Sequence, residues 1–73
     1  MSAHEHTELQ SLVKMANQIA ANFSFHEDGE EKMLSHLQRF WAPSMRQMML
    51  RHVEAGGAGL DDLALQVARR LRV

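Results

Sequence analysis

The segment Phe40–Leu50, "FWAPSMRQMML", contains the only Trp and the only Pro of the chain and three of its six Met residues. Proline disfavours helical geometry at the residue before it and fits the first position of a helix. The segment therefore predicts that one helix ends near Trp41, that the chain turns sharply at Ala42, and that a new helix begins at Pro43.

Two helices are predicted upstream of this corner. Apolar residues recur at helical spacing over about 7–23 and again over about 29–41, and no window shows the alternation that is typical of strands. Pairs of residues spaced as capping boxes support both starts and offer an earlier start for the first helix. These pairs are Thr7 with Gln10, Asp28 with Glu31, and Ser2 with Glu5.

Two more helices are predicted downstream. The Met-rich helix, about 43–55, should stop at the "GGAG" turn of residues 56–59, whose first two glycines can adopt the left-handed conformation of a helix C-cap. A fourth helix should begin near Asp61. The fold class predicted is all-α, a small bundle of about four short helices with a Pro corner between helices two and three.

Length and composition indicate a single domain over residues 1–73, with a frayed N-terminus at residues 1–6. A chain this short buries little apolar surface when it folds, so outside support for its stability is expected. Cys is absent, which excludes a disulfide staple and a thiolate metal site. An oligomer or a larger partner remains as the source of that support.

Charge and hydropathy argue against two kinds of partner. Eight Lys and Arg residues against nine Asp and Glu residues give a formal net charge of −1, which does not attract phosphate backbones or anionic lipid. No apolar run reaches membrane-spanning length, and the N-terminus lacks the pattern of a secretory signal. We expect a cytoplasmic protein that binds neither nucleic acid nor a membrane.

No catalytic residue, bound cofactor or metal site is expected. The five His residues form no HExxH pattern and no i, i+4 pair, although His36 and His52 could converge across the corner. The Ser residues lie outside any nucleophile motif, and no Lys followed by Ser or Thr comes after the "GGAG" turn, as a phosphate-binding loop requires.

The Met-rich helix has an unusually wide apolar surface. At 100° per residue its apolar side chains span an arc of roughly 200°, with Arg46 inside the arc. One side of the arc can face the core, and the other side is predicted to contact a partner, because Arg, Trp and Met are enriched at interfaces. The alternative is that all these side chains belong to the core. The predicted partner-binding residues are Asn17, Gln18, Phe40, Trp41, Pro43, Met45, Arg46, Met48, Met49 and His52.

Two longer segments carry a resemblance to a known family. "LVKMANQIAANF" (12–23) and "HLQRFWAPSMRQMMLRHVEAGGAGL" (36–60) resemble the delta subunit of cytoplasmic, NAD-dependent, molybdenum-containing formate dehydrogenase. The likeness extends over 12–71. Ala42 and Ser44 depart from the commoner pattern, which has an acidic and a basic residue at these positions.

The resemblance implies a subunit without a cofactor or active site of its own. Such a subunit would bind the large catalytic subunit and support its assembly, its stability or its acquisition of the molybdenum cofactor, and a cofactor-insertion protein is a further candidate partner. Two alternatives stay open, a transient chaperone that leaves the mature enzyme and a small helix-turn-helix regulator that binds DNA. Self-association of the isolated chain would be another way to cover the Met-rich surface.

Overall fold

The computed structural model describes the backbone of residues 2–73 and the side chains of residues 8–73, and over this range it contains four helices and no strand. The all-α prediction is confirmed, and Pro43 is the first residue of the third helix, as the corner requires. The helices are α1 (Ser2–Phe23), α2 (Gly29–Phe40), α3 (Pro43–Glu54) and α4 (Asp62–Arg69).

The boundaries of the helices differ from prediction mainly at the start of α1. This helix begins at Ser2, at the earlier of the two possible capping boxes and well before Thr7. α2 ends one residue early because Trp41 has an extended backbone, with ψ at 135°. The frayed N-terminus expected for residues 1–6 stays a prediction, since Met1 and the side chains of residues 1–7 lie outside the described part.

The capping box predicted at the start of α2 does not form. Asp28 occupies the N-cap position, but its φ and ψ of −100° and 32° lie outside the extended region from which a side chain caps a helix. Its carboxylate instead lies 3.6 Å from the ammonium group of Lys32, and Glu31 pairs with Arg70. Asp28 therefore pairs within the first turns of α2, and Glu31 pairs with a cation at the end of α4.

The glycine turn after α3 is a Schellman motif. The N–H of Gly56 donates to the carbonyl of Val53 at 3.0 Å, and the N–H of Gly57 donates to the carbonyl of His52 at 2.9 Å. Both glycines have positive φ, 117° and 66°, as the predicted left-handed C-cap requires. A Cβ at Gly57 would also lie only 2.7 Å from the side chain of Leu65. The absence of a side chain at this position therefore leaves room for Leu65 of α4.

The core is organised around α1 and α4, each of which packs against all three other helices, whereas α2 and α3 pack against this pair rather than against each other. Small residues on α1 and α4 permit the close approach of the two helices. No described helix is both long enough and apolar enough to span a bilayer. The buried apolar residues are Leu12, Ala16, Ala20, Met33, Leu37, Trp41, Met49, Ala64, Val67, Ala68 and Leu71.

This arrangement explains much of the wide apolar arc of α3. α3 packs on α1 along one side and on α4 along the other, with Met49 fully buried between them. Met45 and Met48 pack against the edge of the core on the side of α1. Both sides of the arc therefore have contacts within the chain, while Met45 and Met48 stay half-buried beside an open groove.

Gly29 should be sensitive to substitution because a Cβ there would lie 2.3 Å from the carbonyl oxygen of Phe23. Both positions belong to a turn in which the N–H of Gly29 donates to His26 and the N–H of His26 donates to Phe23, each at 3.1 Å. We expect Gly29→Ala to lower the free energy of unfolding by about 2 kcal/mol, as overpacking of a tight site does. Urea denaturation measures this, and Ser35→Ala on the exposed side of α2 should change it by no more than about 0.5 kcal/mol. Equal values for the two variants would contradict the close approach.

Candidate partner-binding surface

Arg46, predicted to contact a partner, makes its hydrogen bonds inside the chain. Its Nε donates to the carbonyl of Arg72 at 2.7 Å, and its Nη1 donates to the carbonyls of Gln38 at 3.1 Å and Trp41 at 2.5 Å. Carbonyls in the last turn of a helix lack intrahelical donors and carry partial negative charge, so they attract a cation. Arg46 thus caps the end of α2 and holds the C-terminal end of the chain beside the corner.

Further polar contacts join α2 to the C-terminal end. Gln38 Oε1 accepts a hydrogen bond from the backbone N–H of Arg72 at 2.5 Å. The guanidinium of Arg70 lies 2.6 Å from Glu30 and 2.7 Å from Glu31, and hydrogen bonds to Glu31 and then Glu30 raise the pKa of Arg70 above its usual value. Sequence reasoning missed these pairs because the partners are 34 to 40 positions apart and no local spacing marks them.

Asn17 also bonds to the backbone of its own chain rather than being left free for a partner. Its Nδ2 donates to the carbonyl of Gly59, and its Oδ1 accepts from the N–H of Asp61, both at 2.8 Å. One side-chain amide therefore joins the middle of α1 to the loop that precedes α4. Its neighbour Gln18 is exposed.

The two His residues that could have converged have separate roles. Nε2 of His52 lies 2.8 Å from the carbonyl oxygen of Ala58, so this nitrogen carries the proton and donates to the loop after α3. His36 lies between two aromatic rings, with centroids 5.9 Å from Phe23 and 4.9 Å from Phe40. Within the described residues, no group of three or more His, Asp or Glu side chains is placed to hold a metal ion.

The remaining candidates divide by exposure. Trp41 and Met49 lie in the core, 5% and 0% exposed, and neither presents a surface that a partner could reach without a change in structure. Phe40 is 67% exposed and Pro43 is also exposed. Met45 and Met48 are half-buried and line an open groove of about 460 Å³ between α1 and α3, with Glu8, Ser11, Leu12 and Ser44. Of the predicted partner-binding residues, Gln18, Phe40 and Pro43 are therefore exposed, and Met45 and Met48 are half-buried at the groove.

Comparison with known proteins yields one match. A family model described as NADH-dependent formate dehydrogenase delta subunit FdsD matches residues 11–68 of the 73-residue chain. No curated protein and no solved structure matches. The matched range includes the whole of α2 and α3, the corner between them and the glycine turn.

Removal of the Arg46 side chain should destabilise the fold rather than only a complex. We expect Arg46→Ala to lower the free energy of unfolding by about 2 kcal/mol, because three carbonyls lose a charged donor. Urea denaturation of the isolated chain measures the change. Arg51→Ala, an exposed Arg on the same helix, is the matched control and should differ from the native chain by at most about 0.5 kcal/mol. A loss confined to partner binding would contradict the capping role.

The amide of Asn17 should be required as the donor to the carbonyl of Gly59. In Asn17→Asp the carboxylate cannot donate to Gly59 and faces its carbonyl oxygen instead, so we expect a loss of about 1–2 kcal/mol near neutral pH. The adjacent exposed Gln18→Glu introduces the same charge and should have almost no effect. If the two changes destabilise the chain equally in thermal melts, general charge repulsion rather than the clamp is responsible.

Proposed function

The chain belongs to the NADH-dependent formate dehydrogenase delta subunit family, and from this membership we propose that it is a non-catalytic accessory subunit that binds the large catalytic subunit of the enzyme. The observation that carries the proposal is the match of the family model to residues 11–68. In this proposal the chain acts in the cytoplasm and holds no cofactor itself. Its effect is to support the assembly or stability of the catalytic subunit, including its acquisition of the molybdenum cofactor.

The structure supports a docking role through its rigidity. Arg46 caps α2 and Asn17 clamps the loop before α4, so the backbone around the corner is held by contacts within the chain. A surface that is ordered before binding loses little conformational entropy when a partner docks on it. The candidates Phe40, Pro43 and Met48 would then contact the partner from a backbone that is already ordered before binding.

A permanent subunit should remain with the active enzyme. We expect a tagged chain, isolated from the cells that produce it, to elute from size exclusion as one large complex with formate-dependent NAD reduction. The tag alone, expressed in the same cells, is the control and should retain no activity.

Three other elution patterns would overturn the permanent-subunit proposal in different ways. Recovery of the chain with an inactive catalytic subunit that lacks its cofactor would favour a transient chaperone. Recovery of nucleic acid would favour the helix-turn-helix alternative. Recovery of the chain alone, as a dimer or monomer, would contradict stable association with the enzyme.

A further inference from the structure

An apolar and aromatic surface extends along the outer side of α1 and α2, largely outside the set of residues predicted from sequence. We call it the α1–α2 stripe, and it consists of Met15, Ile19, Phe23, His36 and Phe40. Met15, Ile19 and Phe23 are spaced by four positions and so share one side of α1. The ring of Phe23 continues to His36 and then to Phe40 on α2 through centroid distances of 5.9 and 4.9 Å.

The stripe is accessible to a partner. Phe40 is 67% exposed and Met15 is 39% exposed, while the other three side chains are half-buried. Contiguous exposed apolar surface is typical of interaction sites, whereas scattered single residues need no explanation. The contacts between successive rings connect the stripe from Phe23 through His36 to Phe40.

The groove between α1 and α3 begins one helical turn before the stripe on α1. Ser11, which lines this groove with Met45 and Met48, lies one helical turn before Met15 on the same side of α1. From Met15 to Phe23 the stripe extends about 12 Å along α1, at 1.5 Å per residue. This length accommodates about two turns of a helix laid along it.

The charges beside the stripe are unevenly distributed. At the Phe40 end, the guanidinium of Arg39 stacks over the Phe40 ring at 5.6 Å from its centroid and forms no salt bridge within residues 8–73. Lys32, two turns earlier on the same edge of α2, already pairs with Asp28 at 3.6 Å. At the opposite end, the turn between the helices carries Glu27 and Asp28, both exposed. A partner complementary to this surface needs carboxylates at the Phe40 end.

We propose that the α1–α2 stripe binds an amphipathic helix of the catalytic subunit, with apolar residues at i, i+3 or i+4, and i+7 against the stripe and Asp or Glu residues facing Arg39. This inference rests on the proposed function and names the surface and the partner chemistry for it. An apolar helical face laid on a hydrophobic surface is a recurrent mode of recognition. Phe40 contributes the most exposed aromatic contact of the stripe, and Arg39 bonds a carboxylate through its planar guanidinium.

The first test measures binding of the full-length chain to formate dehydrogenase purified without it. Phe40→Ser should weaken binding about 10-fold or more, as removal of an aromatic interface anchor does. Arg39→Glu should weaken it about 5-fold or more at low salt, and the effect should shrink as salt is added. Both side chains are exposed, so thermal melts should show that the fold survives.

Two matched controls separate the stripe from general surface properties. Phe25→Ser removes an aromatic ring that is 92% exposed but lies in the turn, off the stripe. Arg51→Glu reverses a charge in the last turn of α3, as Arg39→Glu does in the last turn of α2. Each control should change the affinity by less than 2-fold. Equal losses for stripe and control variants would overturn the proposal.

A second test identifies the occupant. The photoreactive analogue p-benzoylphenylalanine in place of Phe40 should cross-link to a peptide of the catalytic subunit that has helical apolar spacing and acidic residues. Cross-linking to a second copy of this chain, or to a peptide without that pattern, would overturn the assigned occupant. If the native chain does not bind the enzyme at all, the proposed function fails. If it binds but the stripe variants bind equally well, only the present inference fails.

Discussion

The interaction on which the structure depends is the bonding of Arg46 to the carbonyls of Gln38, Trp41 and Arg72. α2 and α3 do not pack closely against each other, so apolar contact alone does not set the angle between them. A single guanidinium has several donors in a fixed plane and can satisfy carbonyls from different segments at once. In this chain it joins the end of α2, the beginning of α3 and the C-terminal residues into one unit.

The glycine loop is held in an analogous way by the side chains of His52 and Asn17. His52 donates to Ala58, while the amide of Asn17 bonds Gly59 and Asp61 from α1. Positive φ angles at Gly56 and Gly57 complete the Schellman motif at the end of α3. A domain of 73 residues has a small core, and polar clamps between distant segments supplement it at the two connections that flank α3.

These internal roles change the interpretation of the partner-binding candidates. Arg, Trp and Met are enriched at interfaces, but the same residue types cap helices and fill small cores. Arg46 stabilises the corner between α2 and α3, and Asn17 stabilises the loop before α4. Trp41 and Met49 form part of the core, whereas Phe40 remains exposed. In the proposed complex, the exposed residues contact the catalytic subunit and the others keep those residues in place.

Local patterns in the sequence were sufficient to predict the helices, the corner at Pro43 and the left-handed glycine cap, because each depends on neighbours a few positions apart. The tertiary structure alone decided which side of each helix is covered. The wide arc of α3 could not be divided between core and partner without knowing that α1 and α4 lie on its two sides. Likewise, the hydrogen bonds of Arg46 to Arg72 and of Asn17 to Gly59 join residues 26 and 42 positions apart. Such pairs leave no periodic signal in the sequence, because the packing of the helices brings them together.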